Sequence, residues 1–302
     1  MTDTQDNAQT GDGDRIAKVL ARAGVASRRD AEKMIAEGRV KVNGEALATP
    51  AFKVPPGAII QVDGVVIAGA EPTRLWRYHK PTGLVTSHKD EKGRPTVFEH
   101  LPPALPRVIS IGRLDLNSEG LLLLTNDGAL ARRLELPETG WTRRYRVRFF
   151  GTIKQDELDK LAGGVTIEGV RYGPIEATLE RSTGQNSWAS VALKEGKNRE
   201  VRKVFEHFGL RVSRLLRTAY GPFQLGDLRE GEVAEVSGKV LKEQLGLAKN
   251  PNRMGSARPA PRPAAPETPK PPERGKRRMQ TATERHAHLA RGKRTEVKAK
   301  KR

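Results

Sequence analysis

Between two apolar runs, Val108–Ile111 and Leu121–Leu124, the chain carries the polar stretch Gly112-Arg113-Leu114-Asp115-Leu116-Asn117-Ser118-Glu119-Gly120. Short apolar runs bounded by turn residues read as buried strands, so the spacing predicts strand, loop, strand. Asn126-Asp127-Gly128 then supplies a turn before a short helix over 129–134. Asp115 is thereby set on a loop at the rim of a rigid core, where catalytic side chains tend to sit. The same pattern also suits a structural salt bridge to Arg113. The chain has no cysteine, which excludes disulfides, thiolate metal sites and a catalytic thiol. No second histidine lies at metal-ligand spacing from His79, and His79, His88 and His207 read as packed or hydrogen-bonded residues.

Two other segments hold residues that could meet Asp115. Thr142–Phe150 alternates like a strand and places Tyr145 on the face of Val147 and Phe149, where a core aromatic is the plain reading. From Arg199 to Phe208 the spacing predicts a helix with Val201, Val204, Phe205 and Phe208 as one apolar stripe and Gly209 as its stop. Arg199, Arg202 and Lys203 crowd its first turn. They serve equally as surface charge, partly paired with Glu206, or as a grip on a phosphate or carboxylate.

The 302 residues are enough for two or three domains. No run approaches the roughly 20 apolar residues a membrane helix needs, and Met1–Asp6 lacks the regions of a signal peptide, so a soluble, cytoplasmic protein is expected. The net charge of +19 points to a polyanionic partner. Residues 249–302 hold 17 Lys and Arg against 4 Asp and Glu, with eight of the 20 prolines and no aromatic residue. That composition predicts a disordered, basic, RNA-attracting tail, and residues 1–13 read as a disordered leader.

From Asp14 the pattern becomes regular. Ile16, Val19, Leu20 and Ala23 recur at helical spacing, with Asp14 as the expected cap and Gly24 as the end. Ser27 is placed to cap a second helix carrying Ala31, Met34 and Ile35, which Gly38 terminates. Val40–Val42 enters an Asn43-Gly44 hairpin, and a second turn falls at Asp63-Gly64. Arg28, Arg29, Lys33, Arg39 and Lys41 are then either a solvated basic face or an RNA contact. The order helix, Ala-Gly-Val-Ala-Ser-Arg-Arg, helix, Glu-Gly-Arg-Val, Asn-Gly resembles the S4 RNA-binding domain over residues 14–70. By that likeness these five residues meet structured RNA, positioning the protein through phosphates.

Residues 74–246 form the second expected domain. Lys80-Pro81-Thr82-Gly83, the Gly112–Gly128 run, Arg143-Arg144-Tyr145-Arg146-Val147 and Glu195-Gly196-Lys197-Asn198-Arg199-Glu200-Val201-Arg202 resemble, in order, the motifs of the RsuA/RluB group of ribosomal RNA pseudouridine synthases. The resemblance implies an α+β chain: a small α/β S4 domain, a catalytic domain built on a mainly antiparallel sheet, and a basic tail outside the likeness. It implies isomerisation of uridine in ribosomal RNA, with the large-subunit RNA favoured over the small; that reaction oxidises nothing and loses no group, so no cofactor or metal is expected, and a monomer is expected.

The likeness assigns the catalytic carboxylate to Asp115, stacking on uracil to Tyr145 and an ion pair with Asp115 to Arg202, with Arg199 as competitor. Val201 becomes the apolar wall opposite Tyr145, while Arg113 supports the RNA or the loop, being turned away from Asp115 by Leu114. Lys197 and Lys80 join the RNA-binding set. Two other readings use the same residues: an S4-type assembly factor without catalysis, and an N-glycosidase pairing Asp115 with Glu119.

Overall fold

The computed structural model describes residues 13–245; the leader and tail expected at 1–13 and 249–302 lie outside these apart from Gly13. The first module contains α1 (Ile16–Arg22), α2 (Arg28–Ala36), β1 (Val40–Val42), β2 (Glu45–Ala46), β3 (Ile60–Val62) and β4 (Val65–Val66). Its antiparallel sheet runs β2-β1-β3-β4. Both predicted turns form, with Asn43 and Asp63 in the left-handed region ahead of Gly44 and Gly64, the backbone a two-residue hairpin favours. Ile16, Leu20, Ala31, Ile35, Val40 and Val62 close the core. Ser27 caps α2 by accepting from the Asp30 amide. Asp14 does not cap α1. Arg15 occupies the cap position, the Ile16 amide donates to the Phe52 carbonyl, and the Asp14 carboxylate pairs with Lys18 at 2.7 Å.

The second module adds β5 (Leu75–Lys80), β6 (Ile109–Ile111), β7 (Glu119–Thr125), α3 (Gly128–Glu135), β8 (Arg143–Phe150), α4 (Gln155–Asp159), β9 (Val165–Ile167), β10 (Val170–Tyr172), β11 (Ile175–Thr183), β12 (Asn186–Leu193), α5 (Glu200–His207), β13 (Arg211–Tyr220), β14 (Phe223–Gln224), β15 (Val233–Val236) and α6 (Gly238–Leu245). Its large sheet runs β11-β12-β8-β13-β7-β5-β15, with β14 on β13 and β6 on β7. The fold is α+β, as expected, and every pairing in this sheet is antiparallel except β7 with β13. That one parallel contact joins the two halves of the sheet. It demands close backbone approach: a Cβ on Gly120, whose φ is +101°, would lie 2.7 Å from the Arg217 nitrogen.

Alternation decides which side chains reach each core. Val147, Phe149, Val191 and Leu215 pack under the α5 stripe of Val201, Val204 and Phe205. Leu121 and Leu123 face α3 and α6, and Leu122 and Leu124 meet Trp76, Tyr78 and Leu114 on the other side. Seven consecutive buried residues in β7 reflect cover on both faces. Among the described residues no helix is long and apolar enough to cross a membrane.

Candidate active site

The loop between β6 and β7 lies in a cleft of about 700 Å³, whose lining includes Asp115, Tyr145, Val201, Leu215 and Arg217. Its backbone is held at almost every step. The Gly112 amide donates to Glu135 at 2.7 Å, the Thr86 hydroxyl to the Leu114 carbonyl at 2.8 Å, and the Gly83 amide to the Leu116 carbonyl at 2.8 Å. The Arg202 guanidinium reaches the Asn117 carbonyl at 2.8 Å. Leu114 is buried beneath the loop while Asp115 is half-buried beside it. The carboxylate of Asp115 has no hydrogen bond or ion pair among the described residues, so a rigid loop holds it with its valence for a ligand intact. Glu119 differs: it is 4% exposed and bound by the Arg214 guanidinium.

Lys80 corrects the sequence reading. It is 0% exposed and cannot touch RNA. Its ammonium donates to the carbonyls of Pro81 (2.9 Å), Asp115 (3.2 Å) and Ser118 (2.9 Å), so the loop closes over it like a lid on a post. Burial pulls its pKa down to about 8, against the opposing pull of the Asp115 and Glu119 carboxylates.

Arg202 also departs from expectation. It is buried near Asp115, yet no nitrogen lies within 4.0 Å of that carboxylate among the ion pairs of the described residues; its two terminal nitrogens are taken by the Asn117 and Val212 carbonyls. Desolvation lowers the Arg202 pKa and nearby Arg199 adds to this, while Asp115 opposes them. The two charges therefore interact through space, and the direct contact is with the loop. Arg199, the competing partner, takes a left-handed backbone at the start of α5 and faces Glu206 at 3.6 Å.

Tyr145 is half-buried between two apolar clusters and lines the cleft, as does Val201. The two readings of each residue, core packing and pocket wall, thus coincide. Arg113, Lys197 and Arg199 line the rim; Lys197 is held by Glu195 at 2.7 Å and by the Arg171 carbonyl at 2.6 Å. On the first module, Arg28, Arg29, Lys33 and Lys41 are exposed and outside any ion pair among the described residues, whereas Arg39 is bracketed by Asp63 and Glu37. His79 is buried against the Leu228 carbonyl at 2.7 Å, the packed role expected of it. Among the described residues no cluster of three or more His, Asp or Glu side chains is placed to hold a metal.

Arg143, Glu200, Arg217 and Tyr220 also line the cleft and escaped the sequence reading. Arg217 left a trace there, as a charge at an alternate position after Leu215 on what is otherwise a buried strand face.

Residues 14–60 match the S4 domain model, and residues 74–207 match that of the RNA pseudouridylate synthases. An uncharacterized RNA pseudouridine synthase of Rickettsia felis is 50% identical over 230 residues, 76% of this chain and 99% of its own. Ribosomal large subunit pseudouridine synthase B of Pasteurella multocida is 42% identical, over 78% of this chain and 71% of that protein. A solved pseudouridylate synthase superposes with a TM-score of 0.53 at 27% identity, covering 76% of this chain and 99% of its own. With its carboxylate loop, strand tyrosine and basic helix start brought to one cleft behind an S4 module, the chain belongs to the RNA pseudouridine synthase family.

Proposed function

We propose that the protein isomerises uridine to pseudouridine in ribosomal RNA, with large-subunit RNA as its target. The observation that carries this reading is Asp115, a carboxylate without a partner among the described residues, on a braced loop beside Tyr145 and Val201. The reaction breaks the C1′–N1 bond, turns the uracil and joins C5 to C1′. C5 gives up a proton and N1 gains one, so nothing is oxidised or lost. Asp115 meets the nucleoside as the bond breaks, and Tyr145 and Val201 sandwich the base while it is detached. Arg202 and Lys80 hold the loop through its carbonyls and place positive charge near the carboxylate.

The target nucleotide must leave its stack, which costs a few kcal/mol. Phosphate contacts from Arg28, Arg29, Lys33 and Lys41, and from Arg113, Lys197 and Arg199 at the rim, offset that cost. The large-subunit choice rests on the name of the Pasteurella relative. A ribosomal RNA substrate implies a cytoplasmic site of action. The glycosidase alternative loses its second carboxylate, since Glu119 is committed to Arg214.

Pseudouridine mapping of both ribosomal RNAs, in cells carrying wild type or Asp115→Asn, tests the proposal. We expect one large-subunit position to lose its pseudouridine in the variant. An unchanged map would sink the catalytic reading, and a lost small-subunit position would reassign the target.

A further inference from the structure

Arg217 is 3% exposed, yet its guanidinium is only partly used. Nε donates to the Leu121 carbonyl at 2.7 Å, and the carbon of the guanidinium lies 5.2 Å from the Tyr220 ring centroid. Nη2 has no hydrogen-bond partner, and Arg217 enters no ion pair among the described residues. Arg143, on the same tyrosine, makes the contrast: it donates to the carbonyls of Trp141 and Lys194 and to the Tyr220 hydroxyl. Arg143 is spoken for as a brace. A brace alone leaves the free N–H of Arg217 unexplained, because a buried charge is ordinarily paired or fully hydrogen-bonded.

Its position supplies the explanation. Arg217 on β13 is the direct cross-strand partner of Tyr145 on β8. Directly opposed residues of an antiparallel pair share one face with their Cβ atoms about 5 Å apart. Both residues line the cleft that holds Asp115. The stacking tyrosine and an uncompensated buried cation therefore form adjacent parts of one wall.

We propose that Arg217 is the cation that stabilises the uracil while it is detached from the sugar. The inference rests on the pseudouridine synthase reading and adds a residue to it. Heterolysis of C1′–N1 leaves the bonding pair on the base, as a uracil anion shared over N1, O2 and O4. C1′ is satisfied by the Asp115 carboxylate, or its neighbour C2′ yields a proton to that carboxylate. When C5 bonds to C1′, the Asp115 carboxylate is displaced from C1′, or in the other route returns its proton to C2′; the C5 proton passes to water and N1 takes one up from water. Between these events the base carries a full negative charge beside the buried guanidinium of Arg217. A preorganised guanidinium acts on charge that develops there and is absent in the bound uridine, which is where electrostatic help accelerates the step.

The test compares wild type, Arg217→Met and Arg217→Lys on ribosomal RNA transcripts made with uridine or with 5-fluorouridine. The rate at which the target nucleoside is consumed in a single turnover is read by mass spectrometry, beside RNA affinity. The fluorinated base is more acidic and leaves more easily, so it needs the cation less. We expect Arg217→Met to slow uridine conversion on the order of 100-fold or more, with affinity within about threefold of wild type. Arg217→Lys should lose less, and the 5-fluorouridine RNA should show a loss at least about tenfold smaller. Loss of Arg217→Met activity within about threefold, or equal slowing on both bases, overturns the proposal. Should Arg217→Met fail to fold, Arg217→Lys decides: more slowing on uridine than on 5-fluorouridine supports it, and equal rates or equal slowing overturn it. Absence of pseudouridine with wild type would instead remove the underlying activity, so the two failures are distinguishable.

Discussion

The ammonium of Lys80 is hydrogen-bonded to the backbone carbonyl of Asp115, 3.2 Å away, and to the Ser118 carbonyl that closes the same loop at 2.9 Å. A charged side chain at the end of a strand thus acts on the candidate catalytic carboxylate through its main chain. The loop cannot shift without stripping a buried cation of its acceptors, an arrangement that fixes where the carboxylate stands.

Replacing Lys80 with Met preserves the stem and removes all three donors. Each abandoned carbonyl costs on the order of 1 kcal/mol, so Lys80→Met should lower stability by about 3 kcal/mol and slow catalysis more than it weakens RNA binding. The difference also has a pH signature. The amine titrates near 8 in the fold and at 10.5 ordinarily, so the unfolded chain binds the proton more tightly. Its charge costs stability below about pH 8, and that cost is relieved as pH rises toward 10.5. Urea titrations at about pH 7.5 and about pH 10 should show wild type gaining on Lys80→Met. A constant difference would contradict the buried amine.

Gly120→Ala should be severe for a residue with no side chain. Its positive φ and the crowding by the β13 backbone act together, and a penalty of about 2–4 kcal/mol is expected. Thermal unfolding measures it. A change in melting temperature within error would mean that β7 and β13 are not held so closely.

Asp127 joins the modules. It caps α3 through the Ala129 and Leu130 amides, accepts from the Thr73 hydroxyl at 2.6 Å and meets Arg22 of α1 at 3.3 Å. Burial works to raise its pKa, but the Thr73 and backbone hydrogen bonds and Arg22 prevail and hold it below the ordinary 3.8. The stability it contributes is present above pH 3.8 and is lost as pH falls through the lower folded value. Asp127→Ala should cost about 1–2 kcal/mol at neutral pH, with the deficit shrinking in acid. A deficit that persists unchanged there would point to packing instead of charge.

Deleting residues 249–302 should weaken RNA binding mainly at low salt and leave the modified position unchanged, since 17 basic residues without an aromatic anchor bind through counterion release. Binding isotherms over a salt series, with pseudouridine mapping, check both halves. A moved modification would make the tail a determinant of target choice.

The elements nearest in sequence were the most legible. Ser27 capping, the two hairpin turns, the β8 alternation and the α5 stripe all follow from local rules that tertiary contacts reinforce. Asp14 failed as a cap because a long-range bond from the Ile16 amide to Phe52 sets where α1 begins. Lys80 was misread because a lysine before proline looks exposed until a loop from 35 residues later covers it. The Asp115–Arg202 contact was likewise placed on the wrong atoms: proximity followed from the motifs, but a competing carbonyl two residues on is invisible in a pattern of side chains. Arg217 showed only as a charge on a buried strand face, since its neighbour Tyr145 is known only from the register of two strands distant in sequence.

The parallel junction between β7 and β13 also orders events in time. Arg217 and Leu121 are 96 residues apart, and β13 is the strand that bridges β7 and β8. A chain emerging from synthesis carries Asp115, Tyr145 and Arg202 by residue 202, yet both neighbouring strand edges remain open until residues 211–220 arrive. Such late, long-range closure is slow, and open edges invite mispairing meanwhile. The wall of the pocket is therefore completed by the same strand that joins the two halves of the sheet, and neither can form before β13 has been made.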